Sequence, residues 1–158
     1  MNIKKGFTLI ELLVVVSIIS MLTSIVLSSI NDAKSKGRDA GKIRALIEIR
    51  NALQLYATDK GGFPQTTTVA GLTTELVNGS KKYIPSINTN IKYQGTILTN
   101  TAVCSSGSTC PSYHLGIPLE RTDNRATASD QDNTQGFDGA STDCAGTAGT
   151  DRCYDVLP

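Results

Sequence analysis

One carboxylate interrupts the apolar N-terminal part of this 158-residue chain. Residues 7–30 form a run of 24 residues in which Glu11 is the only charged one. A carboxylate at mid-membrane depth costs about 2.5–3.5 kcal/mol on insertion scales, and such groups usually pair with a cation. Glu11 therefore needs either a partner of opposite charge or a place near the membrane interface from which its side chain reaches water.

The four cysteines all lie in the second half of the chain, where Gly, Ser, Thr, Asn and Asp are abundant. An even count in a loop-rich region indicates disulfides and an oxidising, extracytoplasmic compartment. Among the three possible pairings we favour the two local ones, because each closes a loop rich in small residues with little strain: Cys104 with Cys110, and Cys144 with Cys153. The chemical alternative is a zinc site, but the cysteines lack the C-x2-C spacing typical of one.

An acidic loop, residues 123–143, offers the oxygen ligands that a hard cation prefers. Asp130, Asp132 and Asp138 are spaced along it, with glycines that allow sharp turns. Calcium takes about 6–8 oxygen ligands, including backbone carbonyls. No Glu stands at the twelfth position that an EF-hand loop counted from Asp130 requires. These three aspartates are therefore candidate ligands of a calcium site of another kind, and the alternative is a solvated loop that binds nothing.

Nothing in the sequence indicates an enzyme. His114 is the only histidine, and it lies in an apparent strand between Tyr113 and Leu115, where a lone histidine is usually structural. No Gly-rich phosphate loop, H-E-x-x-H motif or catalytic carboxylate pair is present. An extracytoplasmic enzyme would need an activity that a His114→Ala variant loses. The net charge of +1 gives no bias toward nucleic acid.

The apolar run predicts a helix that crosses a membrane. A helix of 24 residues spans about 36 Å, enough for a hydrocarbon core of about 30 Å. The run exceeds the roughly 7–15 residues of an ordinary signal peptide, although Ser28 and Ser29 offer a weak cleavage site for one. Basic residues on both sides leave the orientation in conflict under a positive-inside count. We place the C-terminal domain outside the cytoplasm because its cysteines need an oxidising space.

Helical periodicity continues beyond the membrane. Apolar residues recur at steps of three and four and predict an amphipathic stripe: Ile43, Leu46, Ile47, Leu53 and Ala57, flanked by Ile49 and Tyr56. Gly37 and Gly41 indicate either a meltable segment or glycines tolerated on an exposed helix. The sequence G-G-F-P, residues 61–64, predicts the end of the helix.

Short apolar runs after the helix predict strands: Tyr83–Pro85, Ile91–Leu98, Tyr113–Ile117 and Cys153–Leu157. We therefore predict an α+β fold, in which a long N-terminal α-helix, half membrane-spanning and half amphipathic, packs on a small antiparallel sheet of about three or four strands.

The sequence K-G-F-T-L-I-E-L-L-V-V-V, residues 5–16, resembles the prepilin cleavage and methylation motif of type IV pilins and type II secretion pseudopilins. The end of the helix, A-L-Q-L-Y-A-T-D-K-G-G-F-P, is also similar to the helix end in this family. The resemblance implies that a prepilin peptidase cuts between Gly6 and Phe7 and that the new amine on Phe7 is methylated. Within one helix, Glu11 and the Phe7 nitrogen are four residues apart and could pair locally, but the resemblance favours a pair between subunits, in which Glu11 of one chain receives the amine of the next.

The resemblance divides the chain into a leader peptide (1–6), a transmembrane and filament-core helix (7–30), an amphipathic helix half (31–62) and an extracytoplasmic domain (63–158). It implies partners of four kinds: other copies in a helical filament, the peptidase, membrane lipid before assembly, and an inner-membrane assembly platform with minor pilins. The chain would start as a single-pass inner-membrane protein with an extracytoplasmic C-terminal domain and end in a periplasmic or extracellular filament.

We therefore expect a structural subunit of a type IV pilus-like or type II secretion pseudopilus filament. The acidic C-terminal loop favours a secretion-type major pseudopilin within this family, and the resemblance adds weight to calcium as a ligand there. The alternative from another class is a secreted or membrane-anchored calcium-binding domain with no filament role. N-terminal sequencing separates the two, because a mature start at Phe7 belongs to the first and a start after Ser28 or Ser29 to an ordinary signal peptide.

Overall fold

A computed structural model describes residues 6–97, 104, 109–123, 125–127, 130, 144 and 151–158. Two compact units are present, Met1–Gly37 and Arg38–Pro158. The elements in chain order are α1 (Leu9–Lys60), β1 (Phe63–Pro64), α2 (Val69–Leu76), β2 (Lys92–Thr96), β3 (Thr109–Cys110), β4 (Ser112–Pro118) and β5 (Cys153–Val156).

Helix α1 is 52 residues long and continues through both Gly37 and Gly41. It ends as predicted. Gly61 adopts a φ of +80°, the left-handed conformation that favours glycine after a helix, and its N–H donates to the carbonyl of Ala57 at 2.9 Å. By length and composition α1 is able to cross a membrane, since an 18-residue window has a mean hydropathy of 2.5 and none of it is buried.

The globular part packs a three-stranded antiparallel sheet, in the order β2-β4-β5, with the second half of α1 and with α2. A separate antiparallel pair joins β1 to β3. The α+β class predicted from the sequence is confirmed. The core consists of Leu46, Ile49, Ala52, Leu53, Tyr56, Leu72, Leu76, Ile84, Ile91, Tyr93, Tyr113, Leu115, Ile117 and Leu119.

The central strand β4 is buried on both faces. Alternate side chains of a strand point to opposite faces, so Tyr113, Leu115 and Ile117 enter the apolar core whereas Ser112 and His114 lie on the other side. All five are buried. This second face is consequently a buried polar layer, which a half-solvated antiparallel sheet would not have.

Two sequence-based predictions need correction, and one helix was missed. Tyr83–Pro85 is not a strand; instead the N–H groups of Tyr83 and Ile84 both donate to the carbonyl of Leu76, at 2.9 and 3.4 Å, and fold the chain back onto the end of α2. Helix α2 was not predicted, and the Thr68 hydroxyl caps it by accepting the N–H of Gly71 at 3.1 Å. Ile47 is 43% exposed, because the buried stripe follows Leu46 and Ile49 instead.

Buried tyrosines make the domain sensitive to strong alkali. Burial, together with a hydrogen bond to Glu75, raises the pKa of Tyr56 to about 12, and burial also raises the pKa of Tyr93 and Tyr113. The folded state thus favours the neutral phenol. The resulting stabilisation is complete below the ordinary tyrosine pKa of about 10 and is lost as the pH rises through about 12.

A spectroscopic titration of tyrosinate, run beside circular dichroism, checks this prediction. We expect buried tyrosines to ionise together with unfolding, above the ordinary pH for this side chain. Ionisation of Tyr56, Tyr93 and Tyr113 at about pH 10 with the fold intact would contradict it.

Candidate functional site

The carboxylate of Glu11 closes a capping box at the start of α1. Glu11 Oε2 accepts the backbone N–H of Thr8 at 2.9 Å and its hydroxyl at 2.6 Å. In return, the N–H of Glu11 donates to the Thr8 hydroxyl at 3.3 Å. This reciprocal pattern satisfies N–H groups that a helix start leaves without partners. The negative charge in the first turn is also favoured by the helix dipole.

The residues proposed for processing lie next to this box. Gly6 and Phe7 precede the helix in non-helical backbone, and both are exposed. A side chain added at Gly6 would meet no atom within 4 Å, so the fold does not require a glycine there. Phe7 is 76% exposed. Within the described residues, the Gly6–Phe7 bond therefore lies in exposed, non-helical backbone, and the Phe7 side chain is not part of the core.

The apolar part of α1 leaves large side chains exposed along its length, from Leu9 at 81% to Ile30 at 44%. Five of its hydroxyl groups are satisfied within the helix, because each donates to a carbonyl three or four residues earlier. These hydroxyls belong to Ser17, Ser20, Thr23, Ser24 and Ser29. Glu11 is thus the one ionisable group on an otherwise apolar surface that requires lipid or protein as its surroundings.

Both disulfides join cysteines that are close in sequence, the pairing favoured above. Cys104 bonds to Cys110, and Cys144 bonds to Cys153. The first holds residue 104 beside β2, where its N–H donates to the carbonyl of Gly95 at 3.0 Å. The second fastens residue 144 to the first residue of β5. Each therefore attaches a point in the C-terminal loops to the sheet.

Of the three candidate calcium ligands, only Asp130 lies within the described residues. Its Oδ2 accepts the N–H of Asp155 at 3.2 Å, which places it beside β5. Asp132 and Asp138 lie outside the described residues. The part of the chain that the structure describes contains no group of three His, Cys, Asp or Glu side chains able to hold a metal ion. Calcium binding stays a prediction.

His114 forms a buried hydrogen bond with an acidic side chain. Its Nε2 lies 2.6 Å from Asp155 Oδ2, and both side chains are fully buried. A substrate cannot reach a pair without solvent access, so this arrangement supports the structural interpretation of the histidine. Sequence reasoning missed its partner, although pairing of Gly116 with Asp155 across β4 and β5 brings the two side chains onto the same face.

A second buried acid was also missed. Asp39 is fully buried on α1 and accepts the N–H groups of Glu120 and Arg121 at 2.7 and 3.1 Å. A carboxylate on an amphipathic helix normally faces solvent, so no signal in the sequence pointed to this contact.

Comparison with known proteins points to the same N-terminal segment. Residues 1–27 match the family model described as the prokaryotic N-terminal methylation motif. The fimbrial protein EcpC of Eikenella corrodens is 31% identical over 100 residues, 63% of each chain, so the match spans less than two thirds of that relative. The type IV major pilin protein PilE1 of Neisseria gonorrhoeae is 24% identical over 148 residues, 85% of this chain and 88% of the pilin.

A third relative comes from a secretion system. The type II secretion system core protein G of Escherichia coli K12 is 33% identical over 63 residues, 40% of this chain and 43% of that protein. No solved structure matches the chain. The resemblance to prepilins seen in residues 5–16 is confirmed. The matched motif contains these residues, and the relatives are pilins, fimbrial proteins and a secretion core protein.

Proposed function

We propose that this chain is a structural filament subunit of the type IV pilin and type II secretion pseudopilin kind, and not an enzyme. One observation carries the proposal: an N-terminal methylation motif opens a 52-residue helix whose apolar half is exposed and holds a single carboxylate, Glu11. Such a surface is suited to lipid before assembly and to other copies of the helix afterwards.

Processing at Gly6–Phe7 gives Glu11 its cationic partner. Cleavage by a prepilin peptidase creates an α-amine on Phe7, which is largely cationic at neutral pH. Methylation of an amine keeps that charge. The capping bonds of Thr8 survive the cut, because the backbone N–H and the hydroxyl of Thr8 both lie on the retained side.

The Glu11 carboxylate can bind Thr8 and the Phe7 amine of a neighbouring subunit at the same time. Within the described residues, both bonds from Thr8 reach Oε2, which leaves Oε1 open. In the filament, Glu11 Oε1 of one subunit would accept the Phe7 amine of the next. This interaction would select one axial register, the best-attested role of a buried ion pair in an assembly. Open helical growth follows because the contact is heterologous.

Assembly would move the helix from lipid into a protein core. Leucine, isoleucine and valine side chains would supply van der Waals contact there, and Ser17, Ser20 and Ser24 would allow close approach because their hydroxyls are already bonded within the helix. The peptidase, an inner-membrane assembly platform and minor pilins would be the partners. The C-terminal domain would lie outside the cytoplasmic membrane and coat the filament.

N-terminal sequencing of the mature chain tests this proposal. A start at Phe7 supports the filament subunit. A start after Ser28 or Ser29 would mean an ordinary signal peptide and a secreted domain without a filament role.

We also propose that the acidic loop binds calcium through Asp130, Asp132 and Asp138. At a free calcium concentration of 100 times the dissociation constant, binding stabilises the fold by about 2.7 kcal/mol. We expect the melting temperature to rise by about 5–10 °C in calcium relative to a chelator. The variant Asp132→Asn/Asp138→Asn should lose this rise, and Asp59→Asn, an acid on α1 that pairs with Lys81, should keep it. An identical melting temperature of the unmodified protein in calcium and chelator would refute the site.

A further inference from the structure

Asp39 is a buried carboxylate that the proposed function does not use. It lies on α1, and its two oxygens accept two successive N–H groups from the segment after β4, Glu120 at 2.7 Å and Arg121 at 3.1 Å. Burying a charge is costly unless hydrogen bonds compensate it. Bonds from N–H groups to a carboxylate are of the stronger, charge-assisted type. Asp39 therefore holds the helix to this segment firmly.

The same segment returns charged contacts to α1. The Glu120 carboxylate accepts Arg38 Nε at 3.0 and 2.9 Å and lies 2.7 Å from Arg38 Nη2. Lys42 Nζ donates to the carbonyl of Pro118 at 3.1 Å and lies 3.5 Å from Glu120 Oε1. The hydrogen bond from Arg38 holds the pKa of Glu120 below its usual range. Side chains of α1 thus bind the segment after β4, and the Glu120 side chain of that segment binds α1.

The receiving segment is itself fixed to the sheet. The N–H of Leu119 donates to the carbonyl of Arg152 at 2.7 Å, and the Arg152 guanidinium donates to the carbonyl of Glu120 at 3.3 Å. Arg152 directly precedes β5. The hydrogen bonds of Asp39 therefore connect α1 to the end of the sheet and not to an unattached loop.

These contacts occupy a part of α1 with little apolar burial. The globular unit begins at Arg38, whereas the first fully buried apolar side chain of α1 is Leu46. Between them Ile43 is only partly buried. Residues 38–45 are therefore attached to the domain mainly by the hydrogen bonds and ion pairs around Asp39. From Leu46 onward the helix is attached by apolar packing.

We propose that Arg38, Asp39 and Lys42, together with Pro118–Arg121, form a polar latch that can release the first two turns of the domain-bound helix without opening the apolar core. The latch is a conformational device: it sets the residue at which α1 leaves the domain. Its release lengthens the unattached part of the helix by about eight residues, or about 12 Å. The proposal does not depend on the filament role.

Hydrogen exchange measured by mass spectrometry on the full chain in detergent micelles tests the latch. Asp39→Asn keeps the size of the side chain but turns an N–H group toward the amides, and Asp39→Ala removes the acceptor altogether. We expect exchange in the peptide covering 118–121 to rise about tenfold or more, because the N–H groups of Glu120 and Arg121 lose their acceptor. Exchange in 38–45 should rise as well, because helix turns that lose their contacts with the domain open more often, with no change in 46–56. Asp32→Asn is the matched control, since Asp32 is an exposed acid on α1 that pairs with Lys36 at 2.9 Å.

Two results would overturn the proposal. One is an equal rise across 46–56 and β4, because the latch and the core would then open as one unit; failure of both Asp39 variants to fold carries the same meaning. The other is unchanged exchange in 38–45 and 118–121. Glu120→Gln keeps the backbone amides and removes only the outer ion pairs, so a smaller rise confined to the same two peptides is expected for it.

Discussion

Glu11→Ala is expected to leave processing intact and to reduce filaments to less than a tenth of the unmodified level. In the proposed filament, the variant would bury the Phe7 amine of each subunit without a counter-charge, at a cost of about 2.5–3.5 kcal/mol per contact. That penalty corresponds to roughly a hundredfold weaker association between neighbouring subunits. Sheared filaments counted by electron microscopy, with the membrane fraction analysed by mass, give the measurement.

Two variants separate the charge of Glu11 from its local role. Glu48→Ala removes another acid from α1, one that lies on the exposed face 3.4 Å from Arg44, and should assemble normally. Thr8→Val removes the hydroxyl that bonds to Glu11 and should cost about 0.5–2 kcal/mol of helix capping without stopping assembly. Normal filaments from Glu11→Ala would refute the ion pair. Equal loss in Thr8→Val would assign the effect to the cap.

Gly6→Leu is expected to abolish cleavage, so that the chain accumulates in the membrane with its leader attached. The folded chain leaves space at this position, since an added side chain meets no atom within 4 Å. A defect therefore reports on recognition by the peptidase, which the resemblance assigns to a residue without a side chain before the cut. Intact mass of the membrane fraction distinguishes the uncut chain from one that begins at Phe7.

Gly37→Leu is the matched control for this experiment. Gly37 is also a glycine with no atom within 4 Å of an added side chain, but it lies within α1, far from the cut in sequence. This variant should be processed completely. Normal processing of Gly6→Leu would remove Gly6 from the recognition motif and with it the proposed cut.

Local signals made the N-terminal half of the fold predictable. The length of the apolar run and the G-G-F-P sequence fix where α1 runs and ends, because helix propagation and its termination by glycine and proline depend on neighbouring residues. Strands β2, β4 and β5 were also predicted, since β-branched and aromatic residues cluster within each of them. The capping partner of Glu11 was not predicted, although Thr8 and Glu11 have the spacing of a capping box.

Contacts between residues distant in sequence were not predictable from local patterns. Asp39 is buried only because Glu120 and Arg121, more than 80 residues later, bring two N–H groups to it. His114 meets Asp155 through strand register, which the pattern of a single strand does not specify. Helix α2 is eight residues long, shorter than the window over which helical periodicity is readable.

The central claim is that the mature subunit begins at Phe7 and carries a charged, methylated amine. Intact mass of the protein from sheared filaments, recorded with and without reductant, tests it most directly. The account predicts a chain that begins at Phe7, heavier by one methyl group and, before reduction, lighter by four hydrogens for its two disulfides. A mature chain that begins after Ser28 or Ser29, or that keeps Met1, would contradict the account.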